Sequence, residues 1–488
     1  MAWVLGWLRR WVILVHRWMG VALSLLFLMW FLSGIGMIYA REMPSLTPAV
    51  RLERMPVIDF SRIRIAPVQA VSRAGTRRAG GRLSLLMVMG RPAYRVSAGR
   101  GNNATVFADS GDALAEIGDE ESLDIASRFA NLPPSSVRQV AVLEQADQWS
   151  IGVRRQLPLH KFAVDDAAHT ELYVTEVTAE VVLMTTRSSR ALAWVAAIPH
   201  WMYFRALRLN DALWTRVVLW TSGLGIVSVF LGLVLSLTQM RTRYVGWMRW
   251  HYVTGVVFGV LTLTWVFSGW LSMDPIEYTE RGSTGARIPQ ALGGAPNLER
   301  FAPFDAARWS QALAGRAVKE IELRSVQGEP YYVLRGAGYS PLLMKADTLE
   351  IRHEPFTIES LMQRVAQGNP GVAVTASELL TDYDAYYYDR DREAPLPVLR
   401  VKFADEAATW VYIDPRLSQQ VARFTRGERV ERWLYHGLHS LDFSFWYYNK
   451  PLWEAGMIML LSGGSILSFV GVVIGLKRLR RVAGRRRL

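Results

Sequence analysis

HRWMGVALSLLFLMWFLSG, residues 16–34, and HYVTGVVFGVLTLTWVFSG, residues 251–269, decide the fold. Laid on each other without a gap, they pair His16 with His251, Gly20 with Gly255, Trp30 with Trp265, Ser33 with Ser268 and Gly34 with Gly269. Each leads into an uncharged apolar run. Four such runs stand in the chain: Trp18–Ala40, Val217–Met240, Tyr252–Met273 and Ala455–Leu476. A helix needs about 20 apolar residues to cross a hydrocarbon core. Buried helices of soluble proteins seldom stay uncharged for so long, so the runs predict four transmembrane helices. The first lacks a small-x-small cleavage site before Arg41, which favours a retained anchor over a signal peptide.

Outward from these runs, composition narrows the class. The 488 residues are 51% hydrophobic, with 19 Trp and no Cys. The missing Cys excludes thiolate nucleophiles, disulfides, iron–sulfur clusters, zinc–cysteine sites and covalently attached c-type haem. The formal charge is +13. Three acid-free stretches account for all of it: Arg9, Arg10 and Arg17; Arg241, Arg243 and Arg249; and Lys477, Arg478, Arg480, Arg481, Arg485, Arg486 and Arg487. A nucleic-acid-binding face would spread its basic residues over a folded surface. Here they flank the apolar runs, so the partner is a lipid bilayer and no nucleic acid is expected.

By the positive-inside rule these three stretches lie in the cytoplasm. The chain then divides as 1–40 (N-terminus and first span), 41–199 (outside), 200–240 (interfacial helix and second span), 241–273 (turn and third span), 274–435 (outside), 436–476 (interfacial helix and fourth span) and 477–488 (basic tail). In a Gram-negative cell the outside segments are periplasmic and the spans sit in the inner membrane, with both termini inside. Each outside segment is long enough for its own core. Strand-like runs (Leu83–Val88, Tyr331–Leu334, Thr409–Ile413) alternate with helix candidates (Ser122–Ala130, Ile358–Ala366), which predicts α+β domains.

The repeat extends beyond the spans. Aligning His200 with His439 brings Tyr173 to Tyr412, Arg190 to Arg429, Trp194 to Trp433, Phe204 to Phe443, Asn210 to Asn449, Leu213-Trp214 to Leu452-Trp453, and Gly225, Phe230 and Gly232 to Gly464, Phe469 and Gly471. Gly90-Arg-Pro-Ala-Tyr matches Gly328-Glu-Pro-Tyr-Tyr, and Glu121-Ser-Leu matches Glu359-Ser-Leu. Each half is thus a span, an outside domain and a returning span. The expected fold is a four-helix transmembrane bundle with two α+β outside domains. Its internal parallel repeat relates the halves by a two-fold axis along the membrane normal.

Four of the eight His are repeat-matched: His16 with His251 at the cytoplasmic ends of spans one and three, and His200 with His439 outside spans two and four. A two-fold axis makes each pair face across the bundle at one depth. Two neutral imidazoles so placed suit a six-coordinate haem iron without any Cys. Gly20 and Gly255, one turn on, leave room for a porphyrin plane, and Ser33-Gly34 and Ser268-Gly269 do the same deeper in. Interfacial placement, packing or hydrogen bonding are the competing roles. His436, three residues before His439, is matched by Ala197 and breaks the symmetry. It stands open as ligand, ligand support or substrate-side group, with His439 favoured as ligand. His160, His169 and His353 read as ordinary surface or core residues.

The stretches His16-Arg-Trp-Met-Gly20, Trp250-His251, Tyr412-Ile-Asp-Pro415 and Trp433-Leu-Tyr-His-Gly-Leu-His-Ser-Leu-Asp-Phe443 resemble the PepSY-associated transmembrane family of iron-regulated membrane proteins. The resemblance spans nearly the whole chain. It implies PepSY-like outside modules at about 60–117, 120–185, 298–355 and 357–415, and a two-haem reductase that reduces ferric–siderophore iron in the periplasm. Relatives with fused flavin and nicotinamide domains differ from this chain, whose cytoplasmic parts are short and hold no Rossmann glycines. The first half also has Thr175-Glu176 where the second has Asp414-Pro415.

The expected activity is therefore that of a haem-dependent membrane oxidoreductase of ferric reductase type. One haem b lies on His16 and His251 and one on His200 and His439. Electrons come from a separate cytoplasmic flavoprotein or from quinol and pass to a periplasmic ferric chelate. Arg17, Arg249, Arg208 and Arg216 are candidate propionate partners, against a plain role in topology. The run Asp382–Asp391 is a candidate chelate-docking surface, against an aromatic strand packed on its domain. The competing function is a non-catalytic, membrane-anchored PepSY binding or protease-inhibitor module. A transporter is a poorer reading, because the spans hold no acid and no break. No Ser–His–Asp or His-Glu-x-x-His pattern supports hydrolysis.

Overall fold

The computed structural model describes residues 2–40, 42–75, 82–97, 103–240, 242–275, 284–294 and 296–485. Arg241, Arg486 and Arg487 of the basic stretches lie outside the described residues. The chain divides into two compact units. One comprises Met1–Met43, Ser188–Glu280 and Gly427–Leu488; the other comprises Pro44–Arg187 and Arg281–Arg426.

The first unit is built on four long helices: α1 (Ala2–Ala40), α2 (Asp211–Thr238), α3 (Gly246–Leu271) and α4 (Lys450–Arg485). All four are long and apolar enough to cross a membrane. Each starts before its predicted apolar segment, and α4 also runs past the end of its own. A 39-residue helix such as α1 is on the order of 58 Å long, well beyond a hydrocarbon core of about 30 Å. Arg9, Arg10 and Arg17 are exposed, so charge marks where an apolar run stops without stopping the helix. The helix α2 begins where the Asn210 side chain accepts a hydrogen bond from the Leu213 amide (3.0 Å), with Asp211 in its positive first turn.

Each long helix packs on two others, in the ring order α1–α2–α3–α4, so α1 and α3 lie across a diagonal. Glycines set these contacts. A Cβ on Gly225 would lie 2.9 Å from Val266, one on Gly259 2.8 Å from Leu233, and one on Gly464 2.5 Å from Phe31. Gly463 likewise receives the Phe258 ring. Small residues of this kind let helices approach where water cannot drive association. The glycine contacts run in opposite sequence directions, Gly464 on Phe31 and Gly475 on Val21, so neighbouring helices are antiparallel. Phe27, Phe31, Trp265, Val266, Met457 and Leu461 fill the interior. Buried hydroxyls turn back onto their own helices: Ser222 donates to the Val218 carbonyl (2.6 Å), Thr262 to Phe258 (2.9 Å) and Ser465 to Leu461 (2.9 Å). Trp220, Val257, Val260, Leu25 and Met459 face outward.

Among the described residues the second unit holds fifteen strands: β1 (Leu83–Val88), β2 (Arg91–Ser97), β3 (Asn103–Phe107), β4 (Val137–Leu143), β5 (Leu159–Val164), β6 (Glu171–Thr175), β7 (Glu180–Thr185), β8 (Glu320–Val326), β9 (Glu329–Arg335), β10 (Leu342–Lys345), β11 (Ile351–Arg352), β12 (Val374–Leu380), β13 (Val398–Phe403), β14 (Trp410–Asp414) and β15 (Gln419–Phe424). The expectation of a separate core for each long segment is corrected here. β1 pairs antiparallel with β8, Leu83 opposite Leu323 and Leu86 opposite Glu320. The two segments therefore share one seven-stranded sheet, β11-β10-β9-β8-β1-β2-β3.

Alternation along these strands explains the sharing. Leu83, Leu85, Tyr94, Ile321, Leu323 and Tyr332 point into one core around Trp309, which stacks on Phe60. Leu86, Val88 and Ala93 point the other way, into a core with Ile125 of the helix Asp119–Ala130 and Phe162 and Leu172 of the sheet β4-β5-β6-β7. The sheet β12-β13-β14-β15 packs in the same manner on the helix Ile358–Gly368 through Leu361, Val365, Leu399 and Ile413. The last module runs through β15 to Phe424, beyond the expected end at 415, because β14 needs β15 as its hydrogen-bonding neighbour.

Glu320 sits on the shared seam, buried beside Arg82 (2.6 Å) and Arg51 (2.9 Å), and Arg51 also reaches Glu180 (3.3 Å). Burial alone would raise its pKa; Arg82 and Arg51 outweigh that and hold the carboxyl below its ordinary range. The depressed value means this stabilisation is present above the ordinary carboxylate range and is lost as pH falls through the lowered one. Glu320→Gln should cost about 2 kcal/mol at pH 7, discounted for the exposed arginines. In urea melts followed by circular dichroism, the gap to wild type should close as the solution is acidified. Gly464→Leu should cost a further kind of stability, about 2 kcal/mol of overpacking against Phe31, read as a lower melting temperature in detergent and partly restored by Phe31→Ala.

Candidate functional site

The four repeat-matched histidines come together in two pairs on the diagonal of the helix bundle. His16 of α1 and His251 of α3 have ring centroids 6.2 Å apart, and those of His200 and His439 are 5.9 Å apart. The outer pair is carried by short segments laid on the diagonal helices. The helix Ala197–Trp201 packs on α1, and the π-helical turn Trp433–Gly437 packs on α3.

Local chemistry explains why these segments stop where they do. After His200 the chain turns at Met202 (φ 53°), and after His439 it turns at Leu441 (φ 49°). The Trp214 indole donates to the Trp201 carbonyl (2.9 Å), and the Trp453 indole donates to the Ser440 carbonyl (3.0 Å). Each long helix that follows thus ties down the turn before it. The same offset of 239 residues relates His200 to His439, Met202 to Leu441, Trp201 to Ser440 and Trp214 to Trp453.

Each outer imidazole is aimed by a serine. Ser268 donates its hydroxyl to the Trp265 carbonyl (3.0 Å) and presents its oxygen to His439 Nδ1 (3.0 Å). Ser33 donates to the Trp30 carbonyl (3.1 Å), and His200 Nδ1 lies 3.3 Å from both that carbonyl and Ser33 Oγ. Because the hydroxyl proton is spent on the helix, the serine oxygen can only accept, so Nδ1 carries the proton and Nε2 keeps its lone pair. On the inner side His16 Nδ1 donates to the Ser228 carbonyl (2.8 Å). His251 Nδ1 is a buried polar atom with no hydrogen-bond partner. Burial among apolar helices pushes the His200 and His439 imidazoles well below their ordinary range and holds them neutral.

Glycines flank three of the four rings. A Cβ on Gly232 would meet His16 Cε1 at 2.7 Å, one on Gly34 would meet His200 Cε1 at 3.5 Å, and one on Gly269 would meet His439 Cε1 at 3.8 Å. Gly34 and Gly269 therefore back the outer imidazoles. Gly20 has open space where its Cβ would stand, and at Gly255 only Leu467 comes within reach, at 3.8 Å. Sequence reasoning missed Gly232 and Ser228 as partners of His16; the match of Gly232 to Gly471 was visible, but not which ring it admits.

An imidazole nitrogen bonds a first-row metal ion at about 2 Å, so two rings on opposite sides of one ion have centroids roughly 6 Å apart. Both pairs meet that spacing. Among the described residues no three His, Asp or Glu converge as a metal site, so the imidazole donors occur as pairs. The residues present fit an iron porphyrin.

The remaining candidates fall elsewhere. His436 is exposed and sits against Tyr435, apart from the facing pair. Arg208 pairs with Asp211 and lies over Tyr203 and Trp214, and Arg216 donates to its own helix at Ala212. Arg17 and Arg249 are exposed. The run Asp382–Asp391 forms a loop between β12 and β13 in place of a strand. Tyr387 stacks on Tyr412 at 5.1 Å, and Asp384 takes hydrogen bonds from Arg400 (2.6 Å) and the Tyr412 hydroxyl (2.8 Å). His160 is buried between Glu176 (2.9 Å) and Asp119 (3.1 Å), in keeping with a core role.

No family model matches the chain, and no curated protein is similar to it.

The Trp265 indole donates to the His439 carbonyl (2.8 Å) and so holds the outer segment against α3. Trp265→Phe keeps the ring and removes the donor. It should cost about 1 kcal/mol in a detergent thermal melt, and Ser268→Ala on top of it should add more than it costs alone, because both act on the same imidazole.

Proposed function

We propose that the protein is a di-haem b electron-transfer protein of the bacterial inner membrane, of the PepSY-associated transmembrane type. The observation that carries this is the pair of facing imidazole couples, each at the spacing of two ligands on one metal ion, the inner one on opposite helices of an apolar bundle and the outer one on short segments packed against those same helices. His16 and His251 would hold the inner haem, and His200 and His439 the outer one. When bound, the group would supply one-electron iron chemistry, with its potential tuned by the imidazoles that would hold it and by burial.

The chain's own residues do the rest. Ser33 and Ser268 keep Nδ1 protonated at the outer pair and Nε2 free to ligate, a role that outer partners of ligating histidines commonly play. Ser228 does this for His16. The two sites are seventeen residues apart along both α1 (His16 to Ser33) and α3 (His251 to Ser268), on the order of 25 Å of helix. That separation stations one site near each face of a bilayer. Phe27, Phe31 and Trp265 pack the interval and exclude water from it.

The internal repeat belongs to the same reading. Its two-fold axis along the membrane normal would make α1 equivalent to α3 and α2 to α4, with each facing pair drawn from both halves. By the positive-inside rule the basic stretches would lie in the cytoplasm with both termini, which would put the α+β unit in the periplasm. Electrons then move outward, from a flavoprotein or quinol to a periplasmic acceptor such as ferric–siderophore iron.

Absorbance spectra of the detergent-purified protein, oxidised and dithionite-reduced, with a pyridine haemochrome count, test the reading. It expects about two low-spin b-type haems per chain from the two ligand pairs. His16→Ala or His251→Ala should remove one signal, and His200→Ala or His439→Ala the other. Gly232→Val, which drives a methyl group into His16, should disturb the inner signal alone. A protein that stays colourless after expression with added haem would sink the proposal and leave the binding-module role as the better account.

A further inference from the structure

The segment that carries His439 is rebuilt relative to the one that carries His200. At the shared offset, Tyr435 and His436 stand where the first half has Ala196 and Ala197, both fully buried. The backbone differs as well. The first half breaks at Ala196 and restarts as an ordinary helical turn, whereas Trp433–Gly437 is a π-helical turn. Such turns are rare and recur at functional sites.

The rebuilt segment is clamped. Arg432 donates to the Asp442 carboxylate (2.9 Å) and to its carbonyl (3.1 Å), and both side chains are almost fully buried. The matched positions in the first half are Ala193 and Tyr203, which form no ion pair. A buried pair is costly to desolvate and is better explained by the conformation it fixes than by stability. What it fixes is the π turn. The Tyr435 ring lies 5.3 Å from the His439 ring and 4.8 Å from the His436 ring. His439 faces inward to His200, His436 is exposed, and Tyr435 lies against both.

We propose that Tyr435 and His436 form the exit face of the protein, where a small chelated ferric ion docks and is reduced. His436 offers an imidazole nitrogen to the chelate, as a hydrogen-bond partner or as a ligand at an open coordination position. Tyr435 fills the gap between the docked chelate and His439. One electron leaves the outer site, which is oxidised, and arrives at the ferric ion, which becomes ferrous. The reductant is the flavoprotein or quinol that recharges the site from within, and no bond to the protein is made or broken in the transfer. The proposal rests on the electron-transfer reading above and commits His436 to the acceptor instead of to the outer haem. The asymmetry then has a reason: the bundle needs two ligand pairs but only one exit.

Full-length protein in detergent tests it with His436→Ala, His436→Gln and Tyr435→Leu. Absorbance spectra of the His436 variants should match wild type, with both signals present. Stopped-flow reoxidation of the reduced protein by ferric nitrilotriacetate should slow roughly tenfold in His436→Ala, the loss of one docking contact of about 1.4 kcal/mol, and less in His436→Gln. Reoxidation by ferricyanide, which needs no docking, should keep its wild-type rate. Tyr435→Leu should slow both oxidants. Gallium(III) nitrilotriacetate, redox-inert and of the same shape, should bind wild type more tightly than His436→Ala in a calorimetric titration. Loss of the outer signal in His436→Ala would make it a ligand or ligand support and overturn the proposal. A wild-type rate with the ferric chelate, or unaltered gallium-chelate binding, would overturn it too while leaving the two-haem reading intact. A wild type without haem would remove the reading beneath it.

Discussion

Everything in the helix bundle depends on the gap between α1 and α3. These two helices lie across the diagonal, and only side chains bridge them: His16 to His251 at one level, Phe31 to Trp265 at another. The gap is held open by what stands on either side of it. α2 and α4 approach their neighbours through Gly225, Gly463 and Gly464, and so close the ring without crowding the middle. If α2 and α4 carried larger residues there, the helices would separate. If α1 and α3 carried smaller ones, they would collapse on each other. The spacing of the inner imidazoles is a by-product of helix packing, and at the outer pair the serine hydroxyls fix the tautomers.

Much of this was legible in the sequence, and the legible part has a common cause. The histidine pairs emerged because a repeat compares residues that occupy equivalent surroundings, so a shared His16–His251 or His200–His439 match already implied a shared depth. Leu83–Val88 was read to the residue because both faces of β1 are buried and the run is apolar throughout. The helix Ile358–Gly368 was found from its periodicity, two residues short at its end. Helix length was underestimated in the bundle, since exposed arginines at 9, 10 and 17 end hydrophobicity but not hydrogen bonding.

What stayed hidden was anything made between segments far apart in the chain. The pairing of β1 with β8 leaves no local trace, because both strands look like ordinary buried strands whichever neighbour they choose. The Asp382–Asp391 run looked like a surface feature, yet the Asp384 carboxylate is consumed internally by Arg400 and Tyr412 and the Tyr387 ring is buried. The contact of Gly232 with His16 joins positions 216 residues apart. Residue type could nominate Gly232 as special, but only packing shows which ring needs the space.

The seam between β1 and β8 also imposes a schedule on synthesis. β1 is complete at residue 88, but its partner begins at residue 320. At a synthesis rate of about 5–20 residues per second, the interval is on the order of tens of seconds. Throughout it, the three-stranded piece β1–β3 presents an unpaired edge and an apolar face that belongs under the other half. Unpaired edges of this kind recruit other chains, and pairing so distant in sequence is slow even once both strands exist. A chain with this architecture therefore calls for holding or shielding of its first half during biogenesis, and its two halves, however alike, are not interchangeable with two separate proteins.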